Sequence, residues 1–549
     1  MHLKEKLIWN IDYETNKYPS EIKKVLFKKH ISLRKKYTSW IGRISKKYRN
    51  DIDWWVSVPV SRNPYFSKIF QTICILETLK TLRNLKIDII SNSKALVNIL
   101  KKNFKNKNIN IFYTKKKKKN NLKYIFKSIL FQLYIFFIIK IFFKKKIFQN
   151  NEKILINNYP TNNPKKLERQ FQFSKKFLHN NYKDIIFTPT ILINRNFLKI
   201  FKTLNILHKK NYFFKESVLS LKDLVFAFCY PLRVRKFEKK FENFNEFDLS
   251  EFLYSEIKDF KFYNASMIGL INFNFFKRLS EKNCKIYKTI CWFENHEQKG
   301  WNYGVRKYFP KTKTVGYQGF TNLPQLMNTI PAKYEETYKV SPQTIIVSGK
   351  AYINSRKEFN SNLKIKVGPS YIYQDVHLKF KKQNKIKFLV ILNEFLEINL
   401  DILEWLNYSI KKNNKLVFYI KKPKILNLDK YLKNMNVEKN FIYCEGNLNN
   451  LLKISQNVIT SGPTGSTLEA ISYNCNLIVP NIDPYDSIYL NSLKVPRKSF
   501  KICNDKKIFS NQINRLFKLD KNKNKKKLPT KFKNLFFEKV SFQKERIFL

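Results

Sequence analysis

The stretch Ser461-Gly462-Pro463-Thr464-Gly465-Ser466-Thr467-Leu468-Glu469-Ala470 constrains this chain more than any other. The apolar run Asn457–Thr460 ahead of it reads as a short buried strand. Leu468, Ala470 and Ile471 after it read as a helix, with Ser466 or Thr467 as the N-cap and Glu469 in the first turn. A further strand, Asn476–Pro480, completes a βαβ unit. In such a unit, free backbone N–H groups and the positive end of the helix dipole face the turn, which suits a phosphate. Gly462 and Gly465 permit close approach, and Thr464, Ser466 and Thr467 add hydroxyls. The glycine spacing is not that of a Walker A loop, and no lysine follows Gly465. An ordinary capped turn is the competing reading.

Strand-like runs recur along the chain at Asp53–Val60, Ile87–Ile90, Ile109–Tyr113, Lys153–Asn157, Asp184–Thr188, Ile286–Phe293 and Lys313–Tyr317. Helical patterns over Phe70–Leu82 and Ala95–Phe104 alternate with the first of them, and residues 196–285 are mostly helical in pattern. This alternation predicts an α/β fold with parallel sheets. The pattern restarts at Thr344–Gly349 and runs through Ile365–Pro369, Lys387–Ile391 and Leu416–Ile420. It divides the chain into a helical preface (1–50), a first Rossmann-like domain (51–335), a second (340–505) and a Lys-rich tail with a helix (506–549), with a hinge near 335–345. Nine of the eleven glycines lie between Gly300 and Gly465, which points to the C-terminal half for ligand binding.

A titratable cluster stands at one strand end. Glu294, Asn295, His296 and Glu297 close the Ile286–Phe293 strand; at the carboxyl edge of an open sheet such groups face the crevice, and Glu294, His296 or Glu297 could act as a general base. The bland alternative is a capping carboxylate beside a polar surface histidine. The order is not His-Glu-x-x-His, which excludes a zinc-protease motif. Gln318 and Gly319 form a second glycine turn at the same edge, and Arg62 and Asn63 follow the first strand, where Arg62 could meet an anion or make an ion pair. Asp51 and Asp53 have the spacing of a weak carboxylate pair, and no metal is expected.

Lys+Arg 106 against Asp+Glu 41 gives a net charge of +65. Such a balance suits nucleic acid or an anionic membrane. Lys, Asn, Ile and Phe are all abundant while Ala and Gly are scarce, the composition of AT-rich coding, and no nucleic-acid-binding motif or repeat accompanies the charge. No specific nucleic acid is therefore expected. Lys115–Lys119 precedes a run over Leu122–Phe143 rich in Phe, Leu and Ile, so 115–145 reads as a basic helix lying on an anionic membrane surface, or else as a helix packed on the protein's own sheet. Seven scattered cysteines without a Cys-x-x-Cys suit a reducing compartment, and residues 1–6 lack an apolar leader. The expectation is a cytoplasmic protein, peripheral on the inner face of the cytoplasmic membrane.

Asp53-Trp54-Trp55 with Arg62-Asn63, Glu294-Asn295-His296 with Trp301, Gly316-Tyr317-Gln318-Gly319, and Thr460 to Ala470 together resemble the bacterial surface-carbohydrate biosynthesis family, which is similar to capsule and lipopolysaccharide glycosyltransferases of the Kdo and polysialic acid kind. The likeness covers most of residues 50–505. It implies a GT-B-like fold, two Rossmann-like domains facing one another across a cleft, and metal-independent transfer of a sugar from a nucleotide sugar, a donor substrate rather than a cofactor. The implied acceptor is a lipid-linked or oligosaccharide precursor of O-antigen, capsule or lipopolysaccharide. The resemblance implies Glu294 as base, with Gly465, Ser466 and Thr467 holding the donor phosphate and Glu469 on ribose or sugar hydroxyls. Related transferases often carry His-Pro after the strand corresponding to Leu416–Ile420; Lys421-Lys422-Pro423 stands here, and Lys422 could neutralise a phosphate as a point charge. A non-catalytic anion- or nucleic-acid-binding protein, a glycerol-phosphate transferase and a sugar-nucleotide epimerase are the alternatives.

Overall fold

The computed structural model describes residues 7–11, 20–64, 66–82, 86–104, 108–115, 121–143, 148, 152–160, 170–181, 184–192, 197–210, 212–294, 297–321, 323–393, 396–423, 438–461, 464–519 and 530–549. Three parallel sheets organise them. A small one pairs β1 (Leu7–Asn10), β2 (Ile87–Ser91) and β3 (Ile109–Tyr113) in that order. The first large sheet contains β4 (Lys153–Asn158), β5 (Ile185–Pro189), β6 (Ile286–Trp292), β7 (Lys313–Gln318), β8 (Thr344–Val347) and β9 (Lys364–Val367), in the order β5-β4-β6-β7-β8-β9. The second contains β10 (Ile386–Ile391), β11 (Phe418–Lys421), β12 (Phe441–Tyr443), β13 (Ser455–Ile459), β14 (Asn476–Pro480) and β15 (Phe500–Cys503), in the order β12-β11-β10-β13-β14-β15.

Both large sheets reverse their strand order once, as doubly wound Rossmann-like sheets do, and ligands bind such sheets outside the carboxyl ends of the strands at the reversal. In the first sheet the reversal lies between β4 and β6; in the second it lies between β10 and β13. The architecture is the two-lobed α/β arrangement called GT-B, with a third sheet added at the N-terminal end.

Three boundaries differ from the sequence reading. The preface is not wholly helical: Leu7–Asn10 pairs with β2, ahead of the helices Ser20–Ser32 and Arg34–Lys47. Asp53–Val60 is not a strand but two helical turns, Ile52–Trp55 and Val58–Ser61. Asp51 caps the first, its carboxylate accepting the Asp53 N–H at 2.9 Å, and Pro59 suits the start of the second. The turns bury both indoles completely, with Trp54 Nε1 donating to Ser45 Oγ at 3.0 Å and Trp55 Nε1 to the Arg49 carbonyl at 2.9 Å. The lobe boundary also moves. β8 and β9, assigned to the second domain, extend the first sheet through the pairs Val315↔Thr344 and Ile345↔Ile365, so the second lobe begins near Ile386. The tail then returns to the first lobe, where Glu545 accepts from the Ser174 N–H (2.7 Å) and the Tyr371 hydroxyl (3.2 Å), and Phe548 is buried.

The N-terminal helices bridge the lobes. Arg34 forms a two-pronged ion pair with Glu358 (2.7 Å on both nitrogens) and reaches the Tyr485 hydroxyl of the second lobe at 3.3 Å. The helix Asn121–Phe142 packs one face, including Phe131, Ile135 and Ile139, against the first lobe, where Gln132 donates to buried Glu216 at 2.9 Å. Its other face exposes Leu122, Phe126, Leu130, Phe137 and Ile141, one stripe along the helix. This helix is long and apolar enough to cross a membrane by length and composition.

Candidate active site

The loops after β10 and β13 meet at the reversal point of the second sheet. Asn393 Nδ2 donates to the Ser461 carbonyl at 3.1 Å, and Ser461 Oγ donates to Asp486 at 2.6 Å. The helix that follows runs Gly465–Ser472, so Thr464, and not Ser466 or Thr467, is its N-cap residue. The Thr464 hydroxyl lies 2.8 Å from the Ser466 hydroxyl and 3.2 Å from that of Thr467, a knot of three hydroxyls around the helix tip. Gly462 and His296 lie outside the described residues.

At the reversal point of the first sheet, the chain leaves β6 at Trp292 and reaches Glu294, whose carboxylate accepts Trp292 Nε1 at 2.6 Å. Asn328 Nδ2 holds the Glu294 carbonyl. Both grips fix the Glu294 backbone and side chain at the strand's end. Glu297 is different: it is 3% exposed and accepts the Tyr159 hydroxyl at 3.0 Å, so it belongs to the floor of the crevice and not to its open side. That floor is a polar network which the sequence reading missed. Tyr159, after β4, also takes Gln298; Lys215 donates to Thr190 at 2.6 Å and Asn272 at 2.7 Å. Burial pulls the Lys215 ammonium down to about 7, against the opposing attraction of Glu216 and Glu297.

The helix tip of the second lobe touches the first lobe. A methyl group placed on Gly465 would stand 2.6 Å from the Tyr373 hydroxyl and 3.4 Å from Thr321 Oγ1, both carried by the first lobe. Burial raises the Tyr373 phenol far above its ordinary range; of the nearby carboxylates, Glu469 on the tip helix and Glu294 on the strand end both add to the rise. One buried tyrosine is thus within electrostatic reach of both the tip helix and the acidic strand end.

Four expected cleft residues do other work. Arg62 is 1% exposed, takes a left-handed backbone (φ 53°), and pairs with Glu335 at 2.7 Å, which also pairs with Lys299 at 2.7 Å. Because Asp53–Val60 is not a strand, Arg62 never stands at a sheet's carboxyl edge; it is an internal ion-pair partner. Asn63 is buried behind it and caps the following turn, its carbonyl accepting the Phe66 and Ser67 N–H groups. Gln318 is fully enclosed, its amide donating to the Phe293 and Thr329 carbonyls (3.1 and 2.6 Å), and Gly319 is wedged against the Tyr317 and Trp292 rings. These two shape the loop that carries Glu294. Lys422 follows β11 and lies over the Tyr443 ring at 4.8 Å. Asp51 and Asp53 form ion pairs with Lys236 (2.6 Å) and Arg233 (2.7 Å).

No protein-family model matches the chain, and no curated protein does. Among solved structures it is similar to MnaA of S. aureus with UDP (TM-score 0.41, 11% identity, 72% of this chain and 95% of that one). It is also similar to TarM (0.36, 13%, 67% and 92%) and to a trehalose-6-phosphate protein from E. coli bound with UDP-2-fluoro glucose (0.37, 9%, 67% and 92%).

Proposed function

We propose that the chain is a glycosyltransferase that moves a sugar from a nucleotide-sugar donor to an acceptor glycan of the cell surface. The observation that supports this reading is that the Gly465 tip of the second lobe lies against Tyr373 of the first, a phenol that also feels the Glu294 carboxylate at the strand end. Transfer to a hydroxyl needs a base for its proton, fixed positive dipoles for the leaving phosphate, and exclusion of water. Glu294, held by Trp292, is the base; the N–H groups at the tip and the Thr464, Ser466 and Thr467 hydroxyls receive the phosphate. The tip supplies fixed positive dipoles, so the reading needs no metal. Glu469 stands one turn along, in reach of sugar or ribose hydroxyls. The exposed stripe of the helix Asn121–Phe142, flanked by Lys115, Lys123 and Lys127, rests on an anionic membrane where lipid-linked acceptors are held.

The test pairs nucleotide binding with product analysis. In a thermal-shift screen of UDP-, GDP-, dTDP- and CMP-sugars, one nucleotide class raises the melting temperature, and S466A/T467A weakens that binding. E294Q keeps donor affinity and loses transfer by roughly 10²–10⁴-fold. Retained transfer would move the base elsewhere, and unchanged affinity in the double variant would refute the tip as the phosphate site. Conversion of the free nucleotide sugar without acceptor would make the protein an epimerase.

A further inference from the structure

One buried cation of the first lobe has no carboxylate paired with it among the described residues. Arg356 ends the helical turn Ile353–Arg356, between β8 and β9, and is 1% exposed. Its Nη1 donates to Thr329 Oγ1 at 2.7 Å, its guanidinium lies 5.9 Å from the centre of the Phe320 ring, and its Nε has no hydrogen-bond partner. The other deeply buried arginines are paired, Arg62 with Glu335 and Arg34 with Glu358; among the described residues no carboxylate pairs with Arg356. Glu358 and Glu294 act on it only from beyond ion-pair distance, and burial pulls it down to about 9. Two phenols lie within electrostatic reach of it. Tyr352 caps the same turn and Tyr489 comes from the helix Asp486–Ser492 of the second lobe; both are buried, the Tyr352 hydroxyl has no hydrogen-bond partner among the described residues, and the Tyr489 hydroxyl faces Thr321 of the first lobe. Tyr352 is also in electrostatic reach of Glu469 on the tip helix, as Arg356 is of Glu294.

A buried guanidinium without a counter-charge is costly, and one whose Nε is left unbonded has the shape of a missing anion. A planar guanidinium fork matches phosphate oxygens in particular. We propose that Arg356, Tyr352 and Tyr489 form a phosphate-binding pocket, a second anion-holding point beside the Gly465 tip. The proposal rests on the glycosyltransferase reading and narrows it. The phosphate is either the second one of a nucleoside diphosphate sugar or one carried by the acceptor.

The experiment is titration calorimetry on the full chain with UDP and UMP, GDP and GMP, dTDP and dTMP, CMP, and glycerol 3-phosphate. If the phosphate belongs to the donor, R356Q weakens the favoured nucleoside diphosphate at least tenfold and its monophosphate less than twofold, roughly the share of one charge-assisted contact. If it belongs to the acceptor, R356Q loses glycerol 3-phosphate and keeps the nucleotides. Either result upholds the pocket, and Y489F, on the opposite lobe, then weakens the same ligand. Unchanged affinities in R356Q, with nucleotide binding intact in the parent, overturn the pocket alone; a parent that binds no nucleotide overturns the functional reading and the pocket with it. R356M guards against a folding artefact. Removing an unmatched charge leaves the ligand-free melting temperature at or above the parent's, and a fall of more than about 5 °C would make Arg356 a structural residue and overturn the pocket.

Discussion

Glu335 offers the most decisive test of how the first lobe holds its cleft. Its carboxylate sits between two buried cations, Arg62 and Lys299, at 2.7 Å from each, with side-chain exposures of 2%, 0% and 5%. Burial opposes every charge in the triad. For Arg62 the attraction of Glu335 more than compensates and raises its pKa; for Lys299 burial wins and pulls the ammonium down to about 8. Lys299 lies in the first turn of the helix Gln298–Tyr308, directly after Glu294 and Glu297, so the triad anchors the segment that presents the candidate base. E335Q keeps the shape but leaves two cations buried without their counter-ion. Breaking a buried pair in this way costs about 3–5 kcal/mol. Hydrogen exchange followed by mass spectrometry reads this locally, without assuming that the whole chain unfolds in one step. Amides of Trp301–Arg306 in E335Q should exchange roughly 10²–10⁴-fold faster, the same free energy expressed as an opening equilibrium. The triple variant R62M/K299M/E335M should recover most of that protection, because removing all three charges removes the desolvation penalty as well. A change below tenfold in E335Q would refute the argument that the triad holds this helix.

Other consequences can be checked in the same way. G300A should be strongly destabilising, by about 3 kcal/mol or more and visible as a lowered melting temperature, because its methyl would stand 2.0 Å from the Gly269 carbonyl oxygen and only backbone could yield. G465A should melt like the parent, since the far end of the Tyr373 ring can swing aside, yet bind the donor nucleotide more weakly in the same titrations. Glu256 accepts from the Ser67 hydroxyl (2.5 Å) and the Lys68 N–H (2.7 Å), and burial pushes its carboxyl from 4.5 up to about 7. The folded protein therefore holds a proton that the unfolded chain releases, so this stability is present below the unfolded value and lost as pH rises through about 7. Urea midpoints should show the parent losing up to about 3 kcal/mol relative to E256Q between pH 5 and pH 8. Replacing Leu122, Phe126 and Ile141 by Gln should abolish sedimentation with anionic vesicles and leave nucleotide binding unchanged.

Period-two apolar runs marked most of the strands, and the strand–turn–helix of Ser461–Ala470 marked the tip, because both signals are local. Asp53–Val60 misled for a physical reason. Trp-Trp-Val-x-Val is rich in strand-forming residues, yet the Asp51 cap, Pro59 and two indole hydrogen bonds favour helical turns, and tertiary burial decides between them. The lobe boundary was illegible because a buried parallel strand looks alike in either sheet; only the pairing of Thr344 with Val315 assigns it. Arg356, Tyr352 and Tyr489 left no mark either. Tyr489 lies on the other lobe, and no spacing rule joins residues that meet only when two sheets face each other. Lys215 and Tyr159 were hidden likewise, since the strand order that gathers them at the β4–β6 reversal is a property of the sheet and not of any one segment.

Arg34 grips the two lobes unequally. Toward the first it has a bidentate carboxylate and the Pro324 carbonyl at 2.5 Å; toward the second it has one neutral side chain, the Tyr485 hydroxyl at 3.3 Å and its ring centre at 5.5 Å. When the mouth of the cleft parts, the break should therefore run between Arg34 and Tyr485, and the N-terminal helices should travel with the first lobe as its outer jaw. Admission of the donor would then be timed by the weaker of two grips on one side chain.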